Sequence, residues 1–416
     1  MNLKRVVITG LGSLTPIGNT VAATWDAMLK GVSGASLITK FDPQQFKCQI
    51  ACELKGFNVL DHFDRKEAGR LDPFAQYSLV AAEEAVIDAT LQDQRLDKQR
   101  IGVVWGSGIG GIKTFEEDVI DFAQGGFVPH FNPFFIPKTI TDIAPGHVAI
   151  RYGFRGLNYS ISAACASSAA AMADAFNLIR LGKVDIIVTG GAESAIIPSG
   201  IGGFSSMHAL STRNDDPQSA SRPFDRDRDG FVLGEGAACV VLEELEHAKA
   251  RGAKIYAEMT GSGLTADAYH ITAPHPEGDG ALEAMRQAVE ESGMQLSDVD
   301  HINTHGTSTP MGDVAEVKAI CRLFGEHAEN ISVNSTKSMT GHLLGAAGCL
   351  EAIATIMAIA NDTVPPTINH FNDDPQIAPL DFTFNVPTRR TVDFALSNAF
   401  GFGGHNVSLA FRKYNG

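Results

Sequence analysis

The order of structural signals repeats once along the chain, and that repeat limits the fold more than any single motif. Val6–Thr9 reads as a buried strand ending in Gly10-Leu-Gly12, followed by a helix over residues 20–30 and a long helix through Ala81–Ala89. Ile101–Trp105 is the next buried strand and ends in Gly106-Ser-Gly108-Ile-Gly110-Gly111. A short alternating strand at 157–162 then leads into a helix of small residues, Ala166–Leu181. Val184–Thr189 ends in Gly190-Gly191, and Gly236–Glu243 closes the series. From Arg251-Gly252 the order restarts. Ile255–Thr260 ends in Gly261-Ser-Gly263, a helix covers 280–292, and Val299–Thr304 leads to His305. Ile331–Asn334 leads through Lys337 and His342 into an apolar helix at 343–360. Asp393–Asn398 ends in Ala399-Phe400-Gly401-Phe402-Gly403-Gly404, and Val407–Arg412 is the final strand. Alternating strands and helices predict an α/β protein, and the repeated order predicts internal duplication, with halves at residues 1–252 and 253–416.

Charge and cysteine usage narrow the function. A net charge of −15 argues against general nucleic-acid binding, so no nucleic-acid partner is expected. The six cysteines, at 48, 52, 165, 239, 321 and 349, form no C-x-x-C pair and read as reduced thiols. No signal-peptide pattern opens the chain and no apolar run is read as membrane-spanning, which gives a cytoplasmic protein with no membrane partner as the expectation. The aromatic stretch 123–138 suits a pocket wall or a subunit contact.

Cys165 falls where a strand turns into a helix. Unpaired N–H groups and the helix dipole favour an anion there, so a depressed thiol pKa is expected. Gly106-x-Gly108-x-x-Gly111 has the form of a dinucleotide fingerprint, but no second strand with a terminal acid follows, so its glycines are read as allowing close backbone approach and no cofactor is expected. His301-x-x-x-His305 lies at a strand's end with no Glu after His301, which argues against zinc. No Gly-x-Ser-x-Gly elbow occurs. In the repeat, His305 follows the C-terminal end of a strand, at the place taken by the 106–111 glycine turn in the first half, and His342 opens the counterpart of the Cys165 helix. Packing of the halves about a pseudo-twofold axis would bring Cys165, His305 and His342 together, with Lys337 adding positive charge. Two neutral imidazole donors facing one thiol suit carbon–carbon bond formation on a thioester.

Four blocks carry a family resemblance: Ser162-Ala-Ala-Cys165-Ala-Ser, Asn303-Thr-His305-Gly-Thr-Ser-Thr309, Asn334-Ser-Thr-Lys337-Ser-Met-Thr-Gly-His342 and Ser397-Asn-Ala-Phe-Gly-Phe402-Gly-Gly. They resemble the signature blocks of the β-ketoacyl-acyl-carrier-protein synthases. Leu210-Ser-Thr-Arg-Asn-Asp-Asp-Pro and Arg222-Pro-Phe-Asp-Arg-Asp-Arg-Asp-Gly are closest to the elongating type II branch. The likeness implies a duplicated thiolase-like fold, layered α-β-α-β-α, in a homodimer. It also implies that Cys165 takes an acyl chain from acyl carrier protein or coenzyme A, with the N–H groups of Cys165 and Phe402 as the oxyanion hole and Phe402 as a gate. His305 and His342 would promote malonyl decarboxylation, Lys337 would polarise the site, and Glu351, Phe400 and Asn398 would support it. By the same resemblance Thr272, Thr307 and Thr309 would hold the pantetheine arm, while Ile109, Phe134, Phe135 and Phe204 would line the acyl channel, partly across the dimer. Arg65, Lys66 and Arg70 would meet the carrier. No metal is required, although Asn303, Glu351, Ser397 and Asn398 match positions that surround a monovalent cation in related enzymes.

Three positions depart from the family pattern: His405 stands where Thr is usual, His208 where an Arg meets the carrier, and the basic run at 65–70 is interleaved with acids. A thiolase would carry a second Cys near the C-terminus, the initiating synthase an Asn at 342, and a non-catalytic partner subunit no Cys165. None of these patterns is present. A ketosynthase of a polyketide or other secondary lipid pathway is the alternative reading.

Overall fold

The computed structural model describes residues 3–416. Ten strands form one continuous sheet. In chain order they are β1 (Val6–Leu14), β2 (Ile101–Gly106), β3 (Asn158–Ile161), β4 (Ile186–Glu193), β5 (Gly236–Glu244), β6 (Ala257–Ala266), β7 (His301–Asn303), β8 (Ser332–Asn334), β9 (Phe394–Gly401) and β10 (His405–Arg412). Their spatial order is β8-β7-β9-β10-β6-β1-β5-β4-β2-β3. Read outward from the centre, the first five strands run 1-5-4-2-3, and the last five run in the same order. The halves meet where β1 pairs antiparallel with β6, Val6 opposite Met259 and Ile8 opposite Ala257.

Four helices complete the layers: α1 (Pro73–Asp88), α2 (Ser167–Arg180), α3 (Asp279–Ser292) and α4 (Ala347–Asn361). Strand alternation sends Val104, Ile187, Val240 and Leu242 into one cluster with α2 and α4, and Val103, Trp105, Val188 and Val241 into another with α1. In the second half Ala395, Leu409 and Phe411 face α2 and α4, whereas Phe394, Leu396 and Ala410 face α3. The layers are therefore α1, the five strands of the first half, α2 with α4, the five strands of the second half, and α3, which is the duplicated thiolase-like arrangement.

The glycines differ from expectation. Gly10-Leu-Gly12 and Gly261-Ser-Gly263 do not turn the chain but lie inside β1 and β6, as do Gly190-Gly191 inside β4. In both halves a Thr-Gly-x-Gly run carries a register shift, at Thr9 against β5 and at Thr260 against β10. A Cβ on Gly10 or Gly12 would come within 2.4 Å of the Ala85 carbonyl or 2.0 Å of the Ala81 carbonyl on α1. On Gly261 or Gly263 it would come within 2.2 Å of the Ala288 carbonyl or 1.9 Å of the Ala284 carbonyl on α3. The glycines are there for helix–strand contact, and the same device occurs twice.

Three further readings change. The 123–138 stretch includes a short helix at Phe135–Thr139. A helix at Pro310–Phe324 was not foreseen. Leu344–Asn361 does reach membrane-spanning length and composition, against expectation, but 83% of it is buried inside the protein as a core helix.

The glycine device makes a stability prediction. Gly12→Ala and Gly263→Ala, which drive a methyl into helix backbone, should each cost roughly 3 kcal/mol or more. Gly146→Ala, in a helix with open space around the added Cβ, should be neutral or stabilising by up to about 1 kcal/mol. Denaturant melts of the three variants check this.

Candidate active site

The small-residue helix α2 begins at Ser167, with Ala166 as its cap, so Cys165 sits just ahead of the first turn. Ala164 takes a positive φ of 48°, and the Ser167 hydroxyl fixes this corner by donating to the Ala164 carbonyl at 2.6 Å. Across from it, β9 ends in Gly401 and Phe402. A Cβ on Gly401 would lie 2.6 Å from the Ala163 carbonyl, so only glycine lets this strand end approach the Cys165 corner. The backbone N–H groups of Phe402 and Cys165 both favour the thiolate form of Cys165.

His305 follows β7 and His342 precedes α4. Their rings meet edge to face, with centroids 5.3 Å apart and planes at 86°. His342 does not open the helix, as the sequence had suggested. It lies five residues before α4, bridged to Leu233, with its N–H donating to the Val232 carbonyl at 2.8 Å. Burial and the nearby Lys337 charge hold both imidazoles well below the ordinary histidine range, so both are neutral. Lys337 is 1% exposed and bonded to Glu351. Burial pushes the Glu351 carboxyl up to about 7, against the pull of Lys337.

The thiol runs opposite to expectation. Burial pushes Cys165 up to about 12, outweighing Lys337 and the Phe402 N–H, while the buried Glu193 carboxylate adds to the rise. The helix terminus favours a thiolate, but the residue is buried and both histidines of the cavity are uncharged, so no ion pair compensates.

Cys165, Phe204, Thr272, His305, Thr307, Thr309, His342, Phe400 and Phe402 line one cavity of about 440 Å³. Thr307 and Thr309 join their hydroxyls at 3.0 Å, and the Phe400 ring lies 5.6 Å from His305. His208 stands at the cavity edge, while His405 pairs with Gly401 across a hairpin with its ring against Gly403. Ile109, Phe134 and Phe135 do not line this cavity, and neither do Arg65, Lys66 and Arg70. Phe134 lies under the Arg70 guanidinium at 5.0 Å, and Phe135 packs in an aromatic row with Phe131 and Phe115. Of the four suggested cation positions, Asn303 and Ser397 pair between β7 and β9 and share the face toward α4. Asn398 faces the other way, donating to Glu316 and to the Met285 sulfur. Asn303 Oδ1, Glu351 Oε2 and Asn398 Oδ1 are buried without a hydrogen-bond partner, a donor set that fits a monovalent cation in oxygen type but is split between two faces.

Two carboxylates were missed. Glu316 accepts from the N–H groups of His305 and Gly306, 2.9 Å each, and burial pushes it up to about 7. Its signal was present: Asp313, Glu316 and Ile320 share one helical face, so acids lie among apolar residues. Glu193 accepts from the N–H groups of Gly108, Ile109 and Gly345 at 2.8, 3.1 and 3.0 Å. The glycine turn that looked like a dinucleotide fingerprint is thus filled by the protein's own carboxylate, and a helix, Ile112–Gln124, follows it.

A thiol pushed this high makes its alkylation steeply pH-dependent. The iodoacetamide rate at Cys165 should climb about tenfold per pH unit from 7 to 9 without a plateau, because thiolate stays a small fraction throughout. Peptide mapping of alkylation against pH measures this, and a plateau below pH 8 would show a depressed thiol instead.

Comparison with known proteins agrees with this geometry. Residues 3–248 match the β-ketoacyl synthase N-terminal domain, and residues 256–371 match the β-ketoacyl synthase C-terminal domain. The chain is 50% identical over 411 residues to a 3-oxoacyl-[acyl-carrier-protein] synthase 2 of Synechocystis sp., covering 99% of this chain and 98% of that one. It is equally similar to the protein of that name from Staphylococcus aureus, with 99% of each chain covered. A type II polyketide ketosynthase solved in complex with its acyl-carrier protein superposes with a TM-score of 0.92 at 33% identity, covering 99% of this chain and all of that one. With both parts of the chain matched by models of one family, and relatives at 50% identity over nearly the whole length, the chain belongs to the β-ketoacyl synthases.

Proposed function

We propose that this chain is an elongating 3-oxoacyl-acyl-carrier-protein synthase, extending an acyl chain by two carbons through decarboxylative condensation with a malonyl thioester. The observation that carries the reading is Cys165 facing two neutral histidines in one cavity, beside the N–H groups of Phe402 and Cys165. Identity of 50% to relatives named for this activity favours it over the polyketide alternative.

In the first step the Cys165 sulfur bonds to the acyl carbonyl carbon, the carrier thiolate leaves, and the thiol proton goes to that leaving group. The N–H groups of Cys165 and Phe402 hold the tetrahedral oxyanion. In the second step the malonyl carboxylate leaves as carbon dioxide, and its bonding pair becomes an enolate. His305 and His342 donate to the enolate oxygen, as neutral imidazoles can. Donors already aimed at the developing oxyanion stabilise it without reorganising at the moment of reaction. In the third step the enolate carbon attacks the acyl–Cys165 carbonyl, the carbon–sulfur bond breaks, and the Cys165 thiolate takes up a proton from solvent, the one proton that the overall reaction consumes.

The supporting roles fit the same scheme. Thr272, Thr307 and Thr309 would hold the arm, and Phe402, between glycines, would swing to admit malonyl only after acylation. Lys337 with Glu351 would polarise the histidine pair, with Phe400 and Asn398 behind it, while a monovalent cation beside Asn303, Glu351, Ser397 and Asn398 would be structural only. Phe127, Phe131, Phe134 and Ile136 form an exposed apolar face, 38 to 69% exposed in all but Phe134 at 37%. That face suits a homodimer in which Ile109, Phe134, Phe135 and Phe204 complete an acyl channel. Arg65, Lys66 and Arg70 would meet the acidic carrier. Six free thiols fit a reducing cytoplasm. The boundary between nucleophile and histidine halves would fall near residue 252.

The test separates the two chemistries. Cys165→Ala should lose acylation and condensation but retain malonyl decarboxylation. His305→Ala should keep acylation of Cys165 and lose decarboxylation by on the order of a hundredfold or more. Acyl-enzyme mass spectrometry and carbon dioxide release read the two steps, and a folded His305→Ala protein that cannot be acylated would sink the assignment.

A further inference from the structure

The loop that carries His305, Thr307 and Thr309 is held at two separate places. At its start, Glu316 takes the N–H groups of His305 and Gly306, and the Ser335 hydroxyl donates to the Gly306 carbonyl at 2.6 Å. At its end the partners differ. Ser308 is held at a positive φ of 68°, a costly conformation for a residue with a side chain. Its N–H donates to Asp313 at 3.1 Å, its carbonyl accepts from Gly230 at 3.1 Å, and its hydroxyl oxygen accepts from the Arg222 N–H at 3.0 Å. Arg228, with a side chain 3% exposed, closes this end. Its guanidinium donates to the Thr309 carbonyl at 3.1 Å and the Pro310 carbonyl at 2.8 Å. It also donates to the Asp225 carbonyl at 2.8 Å and to Asp374 at 2.6 Å. Only a rigid fork with donors on several edges can hold two consecutive carbonyls and a carboxylate at once.

We infer that Arg228 is the positioning residue of the thioester-arm site, fixing the Thr307–Thr309 hydroxyl pair through the Thr309 and Pro310 carbonyls. The inference rests on the reading that these threonines bind the arm. Arg228 itself does not line the cavity, so it acts through the loop. Because Glu316 and Ser335, not Arg228, hold the backbone beside His305, loosening the Arg228 end weakens the grip on the arm and leaves the reacting histidine in place. The consequence is a split between the kinetic constants: KM rises and kcat holds.

Steady-state condensation with malonyl-carrier protein, using the full-length enzyme, tests this in four variants. Arg228→Lys keeps the charge but cannot span both carbonyls. It should raise KM about tenfold with kcat within twofold, and leave the rate of Cys165 alkylation by iodoacetamide at pH 8 unchanged. Ser308→Gly, mild enough to fold if Arg228→Lys does not, frees the strained turn and should raise KM severalfold. Asp374→Asn removes the carboxylate while Arg228 keeps its carbonyls. It should lower thermal stability with KM within twofold. Thr307→Val with Thr309→Val should raise KM at least as much as Arg228→Lys. If the threonine pair matters but neither Arg228→Lys nor Ser308→Gly moves KM, Arg228 positions nothing. Falling kcat at constant KM, or an equal KM rise in Asp374→Asn, would also overturn the inference. If the threonine pair itself leaves KM unchanged, the arm-binding reading falls first and takes the inference with it.

Discussion

One buried cation organises the electrostatics of this site. The Lys337 ammonium, bonded to Glu351 and almost without water, favours the charged forms of Glu351, Glu316 and Cys165 and opposes protonation of His305 and His342. Burial works against every charged form in the same space. For the histidines the two effects add, so both stay neutral. For the thiol and the carboxyls they oppose, and burial wins. Attraction between opposite charges is strong at low dielectric, but only while both partners remain. Removing Glu351 leaves the Lys337 ammonium as an uncompensated buried charge, at a cost of about 3–5 kcal/mol.

The duplicated fold gives this cation its setting. Each half ends its second strand in a loop whose N–H groups converge on a buried carboxylate: Glu193 beneath Gly108 and Ile109, Glu316 beneath His305 and Gly306. In the first half the carboxylate comes from the end of β4, and the loop is glycine-rich. In the second half it comes from a helix, and the loop carries a histidine. Two equivalent loops therefore differ in what they present, and the second brings His305 to the cavity. Because α2 and α4 share the central layer, Cys165 from one half and His342 from the other reach the same cavity.

Much of this was legible in the residues. The order of strands and helices along the chain and the grouping of Cys165, His305 and His342, with Lys337 close by, follow from periodicity and from what lies at strand ends. The Thr-Gly-x-Gly runs were misread as turns because glycine signals both a bend and a close approach, and only the Ala81–Ala85 and Ala284–Ala288 carbonyls decide between them. Glu316 escaped because a buried carboxylate on a helix face resembles a solvated one until its N–H donors are known. The direction of the Cys165 shift was missed for a related reason. A helix start is visible in sequence, whereas the loss of water around a sulfur is a property of packing. Ile109, Phe134 and Phe135 lie outside the cavity of this chain, since a resemblance transfers roles without saying which surface completes them.

The central claim is that both cavity histidines are neutral donors throughout the working pH range. Nitrogen-detected NMR of the imidazoles in the intact enzyme, titrated from pH 5.5 to 8, measures this directly. The account predicts that the ring shifts of His305 and His342 stay at neutral-imidazole values across the range. A transition of either ring to the imidazolium form within that range would contradict it.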